Sequence, residues 1–106
     1  MLAINNMLTR DEAKIKVTAL ASSAMTDLPA DDEIIILDSA TIERVWGWVF
    51  FFTSKKWHET QEIKYALAGN APVIVEKSSG RLLSTGTAHP VEYYIENFER
   101  AGNPHG

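Results

Sequence analysis

The amino-acid sequence predicts an α+β domain: a four-stranded antiparallel sheet with an N-terminal and a C-terminal helix packed on one face. Apolar residues recur at helical spacing near both ends of the chain, and the region between has short apolar runs separated by turn residues. Helices segregated from neighbouring strands are typical of the α+β class. A length of 106 residues suits one domain, residues 1–106, whose core needs no metal or disulfide.

The first helix is predicted over residues 10–24. Thr9 and Glu12 have the spacing of a capping box, in which each side chain satisfies a free backbone amide of the other residue. The predicted apolar stripe is narrow and made of small residues, so this helix should pack closely on a sheet. The stripe consists of Ala13, Val17, Leu20 and Ala24.

Residues 46–53 are predicted to form the central strand, because this run contains five of the ten aromatic residues in the chain. Alternation places Trp48 and Phe50 on one face and Val49 and Phe51 on the other, and we expect Trp48 in the core. Both faces are therefore apolar. With both helices on one face, the other needs a cover, and a second copy of the chain in a homodimer would supply one.

Three further strands and a helix complete the prediction. Residues 33–37 should pair antiparallel with the central strand, since neighbours in sequence usually pair. Residues 71–77 and 81–85 should form a hairpin around a Ser-Gly turn. A last helix should run from Pro90 to Gly102, and the tail beyond it should fray. The core stripe of this helix is Val91, Tyr94, Ile95 and Phe98.

Composition limits the function classes. The net charge of −4 makes nucleic acid and anionic membranes poor partners. The absence of cysteine excludes disulfides and thiolate chemistry, and together with the lack of a secretory signal it favours the cytoplasm.

The residue patterns that support catalysis are incomplete. His58 and Glu62 approach a zinc-protease spacing, but the second histidine of that motif is missing. The glycines lack the spacing of a phosphate loop, and the serines lack a strand-to-helix elbow. We therefore expect no metal, no cofactor and no catalytic residue, and we do not expect an enzyme.

Two features could contact a partner. An acidic segment could be a solvated loop and strand edge, or it could attract a basic protein. A lone tryptophan on a polar connection could lie over the edge of the core, or it could anchor an interface. The partner-binding candidates are Asp31, Asp32, Asp38, Glu43 and Trp57.

Several motifs of the second half carry a family resemblance. These are Gly47-Trp48, the sequence Leu-Ala-Gly-Asn-Ala-Pro at residues 67–72, and Gly-Thr-Ala-x-Pro at residues 86–90, in which x is any residue, followed by Tyr94 and Ile95. Their order and spacing resemble the YrhB-like domain family, also called the immunity protein 35 family.

The resemblance implies a cytoplasmic bacterial immunity protein that binds and neutralises the cognate toxin of a polymorphic toxin system. The alternative is a small chaperone-like or general protein-binding module without a dedicated toxin. The matching residues are of types that set turns and strand starts, so we expect them to maintain the fold.

Overall fold

The computed structural model describes residues 7–106. In these residues three α-helices and six strands follow one another in the order α1 (Arg10–Ala24), β1 (Ile34–Ile36), β2 (Ile42–Arg44), β3 (Gly47–Phe50), β4 (Phe52–Ser54), α2 (Lys55–Thr60), β5 (Val73–Glu76), β6 (Leu82–Ser84) and α3 (Val91–Ala101). Short 3-10 helices lie at Asp38–Ala40 and Ile63–Tyr65. The predicted α+β class, with a helix near each end, is confirmed.

All strand pairs are antiparallel. The larger sheet has the order β2-β3-β5-β6, and β1 pairs with β4 in a separate two-stranded sheet. In the larger sheet Trp48 lies opposite Val75 of β5 and Glu43 of β2. A four-stranded antiparallel sheet is therefore present, but β2 occupies the place that the sequence analysis gave to residues 33–37.

The aromatic run is two strands rather than one. It breaks at Phe51, whose carbonyl accepts a hydrogen bond from the Leu37 amide at 2.8 Å. Before the break β3 pairs with β2 and β5, and after it β4 pairs with β1. The prediction of one continuous strand was wrong at this point. Because the run is apolar on both faces, its sequence pattern does not change where the chain bends, so the bend leaves no signal in the sequence.

The helices cover opposite faces of the larger sheet, so their predicted placement on one face was wrong. Ala13, Val17 and Ala21 of α1 pack in one core cluster with Trp48 and Phe50. On the other face, α3 packs Ile95 and Phe98 against Val49 and Ile74. Each face carries its own apolar row, and each row is buried by its own helix.

This arrangement removes the basis for a homodimer through an uncovered sheet face, since both faces of the larger sheet are covered by helices of residues 7–106. Trp48 is 4% exposed, which confirms its predicted place in the core. Within that core its indole Nε1 has no hydrogen-bond partner among the described residues.

The capping box of α1 is confirmed. The Glu12 amide donates to Thr9 Oγ1 at 3.2 Å, and the Thr9 amide donates to Glu12 Oε1 at 2.9 Å. The buried stripe differs from the prediction in its second half: Ala21 is buried, while Leu20 is 39% exposed. Residues 13, 17 and 21 form one straight row, and their small side chains let α1 lie close to the sheet.

The C-terminal tail is ordered, so the prediction that it frays was wrong. Gly102 ends α3 in the left-handed conformation, with φ of 74°. The chain then folds back, and Pro104 is fully buried.

Candidate partner-binding surface

The segment after β4 forms an exposed structure that we call the arm (residues 55–68). It begins with α2, which ends at Gln61 in the left-handed conformation, and continues through the 3-10 helix at Ile63–Tyr65. A helix of six residues is not stable alone in water, so its ends must be held by neighbours. From the sequence this segment is only a polar connection, whereas the structure gives it an α-helix and a 3-10 helix.

The first three amides of α2 are all satisfied. The Lys55 amide donates to the Glu33 carbonyl at 2.8 Å, and the Lys56 amide donates to Asp32 Oδ1 at 3.0 Å. The Trp57 amide donates to Ser54 Oγ at 3.1 Å. Since these donors have no partner within the helix, the three acceptors fix where the arm begins and in which direction it runs.

None of the arm's side chains is buried, although several are large and apolar. Ile63 is 81% exposed, and Trp57 and Tyr65 are half-buried. A single exposed apolar residue is ordinary, but three on one short projection form a group that the core does not use. Aromatic residues of this kind are enriched at the anchoring points of protein interfaces.

Two lysines flank the Tyr65 ring. The Nζ of Lys56 lies 5.3 Å and the Nζ of Lys64 lies 5.1 Å from the ring centroid. Both distances are within the range of a cation–π contact, which holds the ring and the two ammonium groups in one arrangement. The arm thus presents the Tyr65 ring with two lysine ammonium groups close to it.

A cleft of about 480 Å³ lies beside the arm. One wall is the link after α1, residues 24–29, and the other is the end of the arm, residues 64–68. Its lining includes the apolar side chains of Met25, Leu28 and Leu67. The cleft borders the exposed part of the arm, so a bound partner could contact both.

The predicted acidic segment is divided between two places. Asp31 forms an ion pair with Lys56 of the arm, and that hydrogen bond, with the nearby positive charge, holds the pKa of Asp31 below its ordinary value. Asp38 accepts a hydrogen bond from Lys14 Nζ at 2.8 Å, and Glu43 lies 3.7 Å from Arg10. Asp31 therefore contacts the arm through Lys56, whereas Asp38 and Glu43 contact the first two turns of α1.

Asp32 joins the link to the arm. Its carboxylate accepts hydrogen bonds from the Ser54 hydroxyl, from the Glu33 amide at 2.8 Å and from the Lys56 amide at 3.0 Å. Burial raises the pKa of Asp32, but these hydrogen bonds outweigh it and leave the pKa below its ordinary value. Asp32 thus has a structural task in addition to its predicted role in partner binding.

The arm contains residues that the sequence analysis did not select. Ile63, Lys64 and Tyr65 share the surface with Trp57. Their signal in the sequence was weak. Ile63 and Tyr65 are an apolar and an aromatic residue in a polar connection and do not follow the regular apolar spacing of a core helix.

The described residues show neither a metal-binding cluster nor a membrane-spanning helix. Residues 7–106 contain no group of three or more histidine, aspartate or glutamate side chains placed to hold a metal ion. In the same residues no helix is long and apolar enough to cross a membrane.

The sequence model of the family described as Immunity protein 35 matches residues 11–99. The chain belongs to the immunity protein 35 family. A stretch of 53 residues, 50% of the chain, is 45% identical to Uncharacterized protein YrhB of Escherichia coli strain K12 and spans 56% of that protein. No solved structure matches the chain.

The glycine, asparagine and proline residues of the sequence motifs hold backbone in place. Gly47 has φ of 154°, and a Cβ there would lie 1.9 Å from the Val75 carbonyl oxygen. Asn70 donates to the Phe52 carbonyl at 3.0 Å, which ties the end of the arm to β4. The Pro72 carbonyl accepts from the Thr85 amide at 2.9 Å. These contacts agree with the structural role expected from the sequence.

Proposed function

We propose that this protein is a cytoplasmic bacterial immunity protein that binds a cognate toxin protein and neutralises it by binding, without catalysis of its own. Membership of the immunity protein 35 family supports a toxin partner. We place the binding surface on the arm because the side chains of Trp57, Ile63 and Tyr65 are not buried in the core there.

The arm supplies the two contributions that a tight protein interface needs. Trp57 and Tyr65 offer large, rigid apolar surface, and burying such rings under a partner slows dissociation. The cleft lined by Tyr65 has room for side chains that project from the partner. Asp31, Lys56 and Lys64 lie at the border, where charges guide the orientation of the partner and change the association rate.

The test measures the kinetics of binding to the toxin candidate, the protein encoded by the gene immediately upstream of the gene for this chain. Trp57→Ala should speed dissociation and weaken binding by about 2 kcal/mol or more, because the ring no longer fills its place under the partner. Tyr93→Ala is the matched control, since Tyr93 is a 44% exposed aromatic residue on α3 and not part of the arm. Both variants should melt close to the parent temperature.

Equal dissociation rates for the parent and folded Trp57→Ala would place the interface elsewhere. A parent that ignores its neighbour and instead binds unrelated unfolded proteins would support the general binding module. In cells, co-expression with the neighbouring protein gives an independent readout: the parent should restore growth, and Trp57→Ala should restore less of it.

A further inference from the structure

Strand β6 is at one edge of the four-stranded sheet. The phase of its pairing follows from two hydrogen bonds: the Thr85 amide donates to the Pro72 carbonyl at 2.9 Å, and the Glu76 amide donates to the Arg81 carbonyl at 3.0 Å. Residues 81, 83 and 85 therefore direct their backbone groups toward β5. Because the direction alternates along an antiparallel strand, Leu82 and Ser84 direct theirs away from the sheet.

The C-terminal tail, residues 102–106, lies across this edge. The His105 side chain is bonded to the Ser84 carbonyl with a distance of 3.1 Å from Nε2. A carbonyl only accepts, so Nε2 carries the proton and donates. The Arg81 guanidinium donates to the Gly102 carbonyl at 3.4 Å. One outward backbone group of β6 is thus occupied by the tail.

The tail is anchored at its centre. Pro104 is fully buried, and its carbonyl accepts a hydrogen bond from the buried Asn97 side chain at 3.0 Å. Asn97 in turn accepts from Arg100 at 2.8 Å. The His105 amide donates to Asn103 Oδ1 at 2.8 Å, which turns the chain toward β6. Asn97 is a polar residue inside a helix–sheet core, and holding the tail accounts for its burial.

Without the tail, the β6 edge is self-complementary. Two copies of β6, antiparallel and with Leu83 facing Leu83, would bring Leu82 of one copy opposite Ser84 of the other. The outward groups of such pairs exchange two hydrogen bonds each, roughly four in all, and join two sheets into one. Exposed edges pair in this way unless something covers or interrupts them.

We propose that residues 102–106 cover the β6 edge and prevent two copies of this chain from pairing through it. Proline suits the task because it lacks an amide and cannot itself extend the sheet. This inference is independent of the proposed function, since it concerns β6 and residues 102–106 rather than the arm, and it needs no toxin.

The test is sedimentation velocity across roughly a hundredfold range of concentration. The parent should remain a monomer throughout. The double variant Asn97→Ala with His105→Ala, which loses both the anchor and the bond to Ser84, should become increasingly dimeric as concentration rises. His89→Ala is the matched control. The rings of His105 and His89 both lie near the Tyr94 ring, with centroids 5.8 Å and 6.0 Å away, but His89 has no hydrogen bond to β6 among the described residues. This control should stay monomeric.

A third change identifies the surface. Ser84→Pro removes an outward amide that β6 does not use within its own sheet, and edge strands tolerate proline at such positions. Added to the double variant, it should restore the monomer. The proposal fails if the parent already dimerises, if the folded double variant stays monomeric, or if Ser84→Pro leaves the dimer intact. Should the double variant not fold, His105→Ala alone decides, and a monomer at the highest concentration overturns the proposal.

Discussion

Replacement of Asp32 should destabilise the protein, whereas replacement of the neighbouring Asp31 should not, because only Asp32 bonds to the buried Ser54 hydroxyl and to the start of α2. In Asp32→Ala the Ser54 hydroxyl, which is fully buried, loses the group that it donates to. Leaving a buried donor without a partner costs about 1–3 kcal/mol, and the lost bond to the Lys56 amide adds about 0.5–1 kcal/mol. We expect a loss of about 1.5–4 kcal/mol in the free energy of unfolding. For a domain of this size that lowers Tm by roughly 6 °C or more.

Urea denaturation and thermal melting measure this loss. Asp31→Ala is the control, because Asp31 is the neighbouring acid but its ion pair with Lys56 is exposed, and such pairs contribute little to stability. Asp32→Asn keeps one acceptor oxygen and should lie between the parent and Asp32→Ala. Equal unfolding midpoints for Asp31→Ala and Asp32→Ala would refute the assignment of Asp32 to the anchoring of the arm.

Three further predictions concern the core, a motif glycine and pH. Trp48→Ala should destabilise by about 3–5 kcal/mol in denaturant titration, since it empties a buried site, and a near-native midpoint would contradict its burial. Gly47→Ala should destabilise by roughly 3 kcal/mol or more, because the added Cβ would clash with the Val75 backbone. Gly69→Ala, at φ of 74° but with open space around it, should destabilise by only about 1–2 kcal/mol. Similar losses for the two variants would argue against the clash. The pKa of Asp31, Asp32 and Glu76 is lowered in the folded state, so their contribution is present above the ordinary carboxyl pKa of about 4 and is lost as pH falls through the lowered values. Tm should therefore decrease as pH falls below about 4, and Asp32→Asn should show a smaller decrease.

Local patterns predicted the elements better than their arrangement. The capping box at Thr9 and the apolar row of α3 depend on neighbours three or four residues away, and both were found as expected. The face that each helix covers depends on the whole chain path. Val49 and Phe50 are both fully buried, and their sequence gives no reason to assign α1 to one and α3 to the other.

The site was predictable only in part, for a related reason. Trp57 stood out because no apolar stripe included it. The pairing of Asp31 with Lys56 joins residues 25 positions apart, and nothing local announces it. Asp32 differs from Asp31 only in lying where the buried Ser54 hydroxyl and the start of α2 meet. Acid clusters in a sequence therefore combine structural and exposed carboxylates, and tertiary contacts decide which are which.

Under the proposed function, the contacts at the two ends of the arm explain how one fold can serve different partners. Asp32 and Ser54 hold its beginning, and Asn70 ties its end to β4 through the Phe52 carbonyl. Between these points Trp57 and Ile63 contribute little to the core, because no arm side chain is buried. Changes there can alter partner choice at small cost in stability, whereas changes at Asp32 or Asn70 should weaken the fold and, through it, binding. A variant such as Trp57→Ala should thus lose affinity without losing Tm, and Asn70→Ala should lose both.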